Sequence, residues 1–187
     1  LFIAEAGVNH NGNLNKAIKL VKAAKKSGAD IIKFQTFKAK SLAVRKINKP
    51  KYIKDNNHLK SKSQYQILKK LELSKNDFIK ISKLCKNLDI EFMSSAFDID
   101  SIKFLHSLKV RRFKIPSGEI NNLPYLKEIG KLNKKIILST GMSNIKEIQD
   151  ALKVLIKSGT DKKNISILHC TTDYPAQFKH VNLNAIL

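Results

Sequence analysis

The chain has 187 residues, 42% of them hydrophobic, which is enough for one substantial core, and it has no apolar run long enough to span a bilayer. Its formal net charge of +21 invites a nucleic-acid reading, but Arg45, Arg111 and Arg112 are the only arginines. Arg dominates bidentate phosphate and base contacts; lysines dispersed through patterns such as KAIKLVKAAKKSG read as solvated helix faces and argue against nucleic-acid binding as the main function.

The first predicted strand, FIAEAGV (2–8), begins almost at Leu1. No charged n-region or cleavage pattern precedes it, so the expectation is a start cut in mid-strand without a signal peptide. LNKAIKLVKAAKKSG (14–28) is a helix, with Ala17, Leu20, Val21 and Ala24 on one face and a glycine as stop. DIIKFQTF (30–37) is the second strand. Residues 38–73 read as a basic loop followed by a short helix in SQYQILKKLEL. SKNDFIKISKLCKNLD (74–89) is a helix with Ser74 as cap, Phe78, Ile81, Leu84 and Leu88 at helical spacing, and Cys85 as a packing residue.

Further strands are IEFMSSAF (90–97), VRRFKIPSG (110–118), KKIILSTGM (134–142) and ISILHCTTDYP (165–175). SNIKEIQDALKVLIKSG (143–159) is a helix predicted to be capped by Ser143 and stopped at Gly159. VNLNAIL closes the chain in a helical pattern. Cys85 and Cys170 form no CxxC or zinc spacing, and a reducing, cytoplasmic compartment is the default.

Six strand–helix units in succession define an α/β fold with parallel strands. A doubly wound sheet lacks its fingerprint here, because AGVNHNG is not GxGxxG. A (β/α)8 TIM barrel gathers every strand end into one site, and nearly every strand here ends in polar residues. A complete barrel takes about 250 residues. The expectation for residues 1–187 is therefore an incomplete barrel, with six of the eight units.

Those polar ends are Glu5, Asn9 and His10; Lys33 and Gln35; Ser94 and Ser95; Lys114, Ser117 and Glu119; Ser139 and Thr140; and His169, Thr171, Thr172, Asp173 and Tyr174. A single lysine near a strand end commonly snorkels to solvent, and strand-end hydroxyls commonly cap the next helix. Strand alternation, however, sets Lys33 and Gln35 opposite Ile32 and Phe34, and Lys114 opposite Phe113 and Ile115. Two inward lysines among small hydroxyls make a site for phosphate or carboxylate. Glu5 and Glu119 are placed to handle protons or sugar hydroxyls. The five histidines form no HxH or HExxH; His10 and His169 sit at strand ends where they could face substrate or a metal, and with two strands missing the residues leave the metal question open.

The stretches FIAEAGVNHNG (2–12), IIKFQTF (31–37), FKIPSGEINNLP (113–124), IILSTGMS (136–143) and HCTTDYPA (169–176), in this order, resemble the sialic acid synthases. The resemblance implies condensation of phosphoenolpyruvate with N-acetylmannosamine or a related N-acetylated amino sugar, giving a nonulosonic acid and phosphate. It implies that Lys33, Ser95, Lys114, Ser117, Ser139 and Thr172 bind phosphoenolpyruvate. Glu5, Gln35 and Tyr174 fall on the amino-sugar side, and Glu119, with Glu5, carries proton or water chemistry. Some members have Asn at Thr172, and Asp173 stands where Glu is commoner. The family's divalent metal (Mn2+, Mg2+ or Co2+) polarises the sugar aldehyde and is held by two histidines on later strands, so no residue of this chain is predicted to ligate it. The resemblance further implies a homodimer, a C-terminal antifreeze-like (SAF) domain beyond this chain, and an inactive fragment if the chain stops at Leu187.

Two other readings fit the residues: a Schiff-base aldolase with Lys114 or Lys33 as nucleophile, and a non-catalytic basic module.

Overall fold

Apolar residues at every second position give the short runs one dry face each. The computed structural model describes residues 1–45, 63–173 and 175–186, and the chain divides into two units, Leu1–Leu108 and Lys109–Leu187. In the first unit, β1 (Ile3–Gly7) pairs with β2 (Ile31–Thr36), and β2 with β3 (Glu91–Ala96), all parallel and in chain order. Parallel neighbours need a crossover rather than a hairpin. Helix α1 (Leu14–Lys26) makes the first; α2 (Ala39–Leu42), α3 (Gln64–Leu71) and α4 (Lys75–Asn87) lie between β2 and β3; α5 (Ile99–Ser107) follows β3.

In the second unit, β4 (Arg112–Ile115), β5 (Lys135–Ser139) and β6 (Ile165–Leu168) are again parallel and in chain order, with α6 (Leu123–Gly130) and α7 (Ile145–Lys157) as crossovers. Here α6 and α7 approach closely at Gly130, where a Cβ would stand 2.6 Å from the Ser158 Cβ and 2.9 Å from the Leu155 carbonyl. The buried Thr160 hydroxyl donates to the Gly130 carbonyl at 2.9 Å and fixes the contact.

The strands fall where the alternation put them, with shorter ends. β4 stops at Ile115 because Pro116 cannot donate to a ladder, and Ser117–Glu119 form a single 3-10 turn rather than more strand. Ser74 caps α4 in a reciprocal box with Asp77. Its buried stripe is Phe78, Ile81 and Cys85, whereas Leu84 and Leu88 are only half-buried. The cap of α7 is Asn144, not Ser143: its side chain accepts from the Glu147 N–H while Glu147 reaches back to the Asn144 N–H, a pairing that starts one residue further on. VNLNAIL contains only a 3-10 turn, Leu183–Ile186. A short helix follows the basic stretch after β2, as expected, and α2 is an additional turn of helix. The part of that stretch at 46–62 lies outside the described residues.

The first unit's core stacks Phe34 on Phe92 (ring centroids 6.0 Å apart) and Phe92 beside Phe78 (6.4 Å). The second is built on Phe113, Ile115, Leu126, Ile129, Leu138 and Leu155, all fully buried. These faces leave the opposite side of each strand to the polar residues.

Candidate anion and amino-sugar site

In the first unit, Glu5 and Lys33 are register partners on β1 and β2, and their side chains form an ion pair of 2.5 Å. The lysine side chain is 12% exposed and the glutamate 53%, so the ammonium lies inward and its neutralising carboxylate outward. The register breaks just after this pair, between Glu5 and Gly7. Gly7 sits at φ +50°, and a Cβ there would come within 3.1 Å of the Glu5 Oε1. Gln35 pairs in register with Ser95, so Glu5, Lys33, Gln35 and Ser95 share one face. Ser94 points the other way, and its hydroxyl bonds to Thr36 at 2.8 Å inside the core, which makes it structural.

His10 is buried in the turn after β1. Its Nδ1 accepts from the Gly12 N–H at 3.0 Å, which leaves the proton on Nε2. Nε2 has no partner among the described residues, and burial lowers the ring's pKa. A neutral imidazole that shapes this turn fits those facts. Gly12, at φ +70°, lets the turn press on α3; a Cβ there would lie 2.1 Å from the Lys70 carbonyl.

In the second unit, Lys114 donates to the Ser139 hydroxyl at 2.5 Å and to the Ile115 carbonyl at 2.9 Å. Lys114 and Ile137 are register partners, and Ser139 lies two residues beyond, on the same face. The Ser117 hydroxyl accepts from the Gly141 N–H at 2.9 Å. A Cβ at Gly141 would stand 2.8 Å from the Thr172 Cγ2 and 3.0 Å from the Ser117 Oγ, so a larger residue there must shift one of these side chains. Thr140 donates to the Leu168 carbonyl at 2.8 Å, binding the end of β5 to the end of β6. Glu119, on the turn after β4, accepts from the Asn122 side chain at 2.7 Å, while Asn122 also caps α6.

The structure therefore groups Glu5, Lys33, Gln35 and Ser95 in one unit and Lys114, Ser117, Ser139 and Thr172 in the other, with Glu119 on the turn that carries Ser117. Tyr174 lies outside the described residues. Asp173 is exposed, with its carboxylate 3.8 Å from the His180 ring. The residue that sequence reasoning passed over is Cys170, whose thiol donates to the Ser139 hydroxyl at 3.2 Å. Its signal was parity, because Cys170 follows Leu168 by two and Leu168 is the register partner of Ser139.

In the second unit, hydroxyls beside an ammonium suit an oxyanion; in the first unit, the ammonium–carboxylate pair suits a polar, hydroxyl-bearing substrate. No group of three or more His, Cys, Asp or Glu that could hold a metal ion occurs among the described residues.

Parallel β/α units with anion-binding strand ends are the design of barrel enzymes that handle phosphorylated substrates. The chain belongs to the NeuB family, whose model matches residues 20–187. It is 53% identical over 190 residues to the N,N'-diacetyllegionaminic acid synthase of Campylobacter jejuni, covering 100% of this chain and 55% of that protein. It is 49% identical to the enzyme of that name from Legionella pneumophila, over 98% of this chain and 52% of the relative. A crystal structure of N-acetylneuraminic acid synthetase from Leptospira borgpetersenii superposes with a TM-score of 0.82 at 28% identity, over 99% of this chain and 59% of that one. The fold is thus the α/β barrel of these synthases, of which the described residues carry six parallel strands and the helices that connect them. The chain spans about half the length of the curated relatives it matches.

Proposed function

We propose that this chain carries the phosphoenolpyruvate-binding part of a nonulosonic acid synthase, which joins phosphoenolpyruvate to an N-acetylated amino sugar. The observation that carries the reading is the Lys114–Ser139 and Ser117–Gly141 cluster, found in a chain 53% identical to a diacetyllegionaminic acid synthase. That relative, and the second at 49%, favour a diacetamido sugar of the legionaminic type over N-acetylmannosamine.

In the reaction, the methylene carbon of phosphoenolpyruvate forms a bond to the sugar's aldehyde carbon, whose oxygen takes up a proton. Water adds to the enol carbon, now cationic, and phosphate departs with cleavage of its C–O bond. Lys114, Ser117, Ser139 and Thr172 hold the phosphate and carboxylate; Lys33 and Ser95 serve the same substrate. Donors fixed before the substrate arrives need no reorganisation as charge shifts during the reaction. Glu5, Gln35 and Tyr174 orient the sugar. Glu119, held by Asn122, takes the proton of the attacking water.

The relatives at 53% and 49% identity are named as legionaminic acid synthases, which favours the synthase reading over the Schiff-base aldolase reading.

A divalent metal, a homodimer and a cytoplasmic setting belong to the same proposal for the full-length protein. No helix among the described residues is long and apolar enough to cross a membrane. The test is phosphate release by the full-length protein with Mn2+. Release should require both phosphoenolpyruvate and the amino sugar, and Lys114→Ala should reduce it at least about 100-fold, as loss of a donor to a reacting anion does. Release unchanged in that variant would remove Lys114 from the site.

A further inference from the structure

We propose that Cys170 is a positioning residue for the anion site: its thiol orients the Ser139 hydroxyl so that the serine proton faces the bound anion. The inference rests on the reading of this cluster as the phosphoenolpyruvate site.

A serine hydroxyl has one proton to give and two lone pairs to receive. At Ser139 both lone pairs are engaged, one by the Lys114 ammonium at 2.5 Å and one by the Cys170 thiol at 3.2 Å. The hydroxyl proton is thereby directed away from both donors. Ser139 is buried, so the directed proton is left for whatever polar group occupies the spot it faces. The adjacent hydroxyl is treated similarly, because the Ser117 Oγ receives the Gly141 N–H and keeps its own proton to give.

The segment that bears the thiol is itself fixed. Thr140 holds the Leu168 carbonyl at 2.8 Å, and Thr172 packs where Gly141 lacks a side chain. Cys170 is only half-buried. Cys85 is the contrast: it is buried among the apolar residues of α4, and burial pushes its thiol up to about 12. One cysteine packs, and the other acts on a hydroxyl.

The experiment uses the full-length protein and measures phosphoenolpyruvate affinity by titration calorimetry without the sugar, so binding is read apart from turnover. Cys170→Ala removes the donor and should weaken binding about three- to tenfold, the range for one hydrogen bond. Cys170→Ser keeps a donor and should stay within about twofold of wild type. In a Ser139→Ala background, Cys170→Ala should add nothing, because the thiol acts only through that hydroxyl. Equal affinity in wild type, Cys170→Ala and Cys170→Ser would overturn the inference and leave the proposed function standing. Additive losses in the double variant would also overturn it, since they mark a packing role. A wild-type protein that binds no phosphoenolpyruvate would overturn the proposed function, and this inference with it.

Discussion

Gly141 is the residue on which the second unit's cluster turns. Its N–H reaches the Ser117 hydroxyl, and its missing Cβ makes room for Thr172. Gly141→Ala must push the Thr172 methyl or the Ser117 hydroxyl aside, and overpacking of this kind costs about 1–3 kcal/mol. The expected outcome is a lower unfolding midpoint in urea together with weaker phosphoenolpyruvate binding; a loss of stability with unchanged binding would separate Gly141 from the site. His10 makes a second residue-scale prediction. Its pKa is lowered by burial, so the folded state favours the neutral ring. The unfolded chain then binds the extra proton first, and stability falls as pH drops below about 6.5, the ordinary value. His10→Gln should flatten that slope in urea titrations between pH 7 and pH 5. The lysines were legible at this scale: the alternation in IIKFQTF and RRFKI set each opposite apolar neighbours, and the ion pair and hydroxyl contacts follow from that. Cys170 was not legible, because its contact depends on register between β5 and β6, which lie more than 20 residues apart in sequence.

At the scale of elements, Glu72 ties the helices after β2 together. Its carboxylate, with a side chain only 10% exposed, accepts from the Ala39 N–H at the start of α2 at 2.6 Å and from Lys69 on α3 at 2.9 Å; Lys38 lies 3.8 Å away. Burial acts to raise its pKa, but the Ala39 and Lys69 hydrogen bonds and the lysine charges outweigh it, and the net direction is down. A depressed carboxylate contributes stability that is present above its unfolded value, about 4.5, and is lost as pH falls through the folded value. Glu72→Gln should cost about 1–2 kcal/mol at pH 7. The difference from wild type should shrink in acid, measured by urea unfolding at pH 7 and pH 3.5; a pH-independent difference would contradict it. Helix starts divide by how their caps are written. Ser74 stands immediately before its apolar stripe and is legible. For α7, SerAsn offers two adjacent caps, and only the reach of Glu147 back to Asn144 chooses between them. β4 ends sooner than the run VRRFKIPSG suggests, because Pro116 cannot donate to the ladder and Ser117–Glu119 turn instead.

For the molecule as a whole, the order of six parallel strands with helices between them and the barrel class were readable from the alternation of short apolar runs with amphipathic helices, whereas the helix expected after the sixth strand is only 3-10 turns among the described residues. The structural match to the Leptospira synthetase agrees with that reading. The charge of +21 is spread over helix faces, as at Lys19, Lys22 and Lys83, all exposed or nearly so. What the sequence could not show was which polar side chains bond to one another. Six strand ends supply candidates, and only three-dimensional register selects Lys114 with Ser139 and Lys33 with Glu5. For the full-length protein, chelation of divalent metal should abolish turnover, and Mn2+, Mg2+ or Co2+ should restore it; turnover unaffected by chelation would remove the metal from the proposal. The most direct test is mass spectrometry of the products formed by the full-length protein from phosphoenolpyruvate and 2,4-diacetamido-2,4,6-trideoxymannose. The prediction is one nine-carbon acid and one inorganic phosphate per phosphoenolpyruvate consumed, with no adduct trapped by borohydride. Recovery of a borohydride-fixed pyruvate on Lys114 or Lys33, without phosphate release coupled to the sugar, would contradict it.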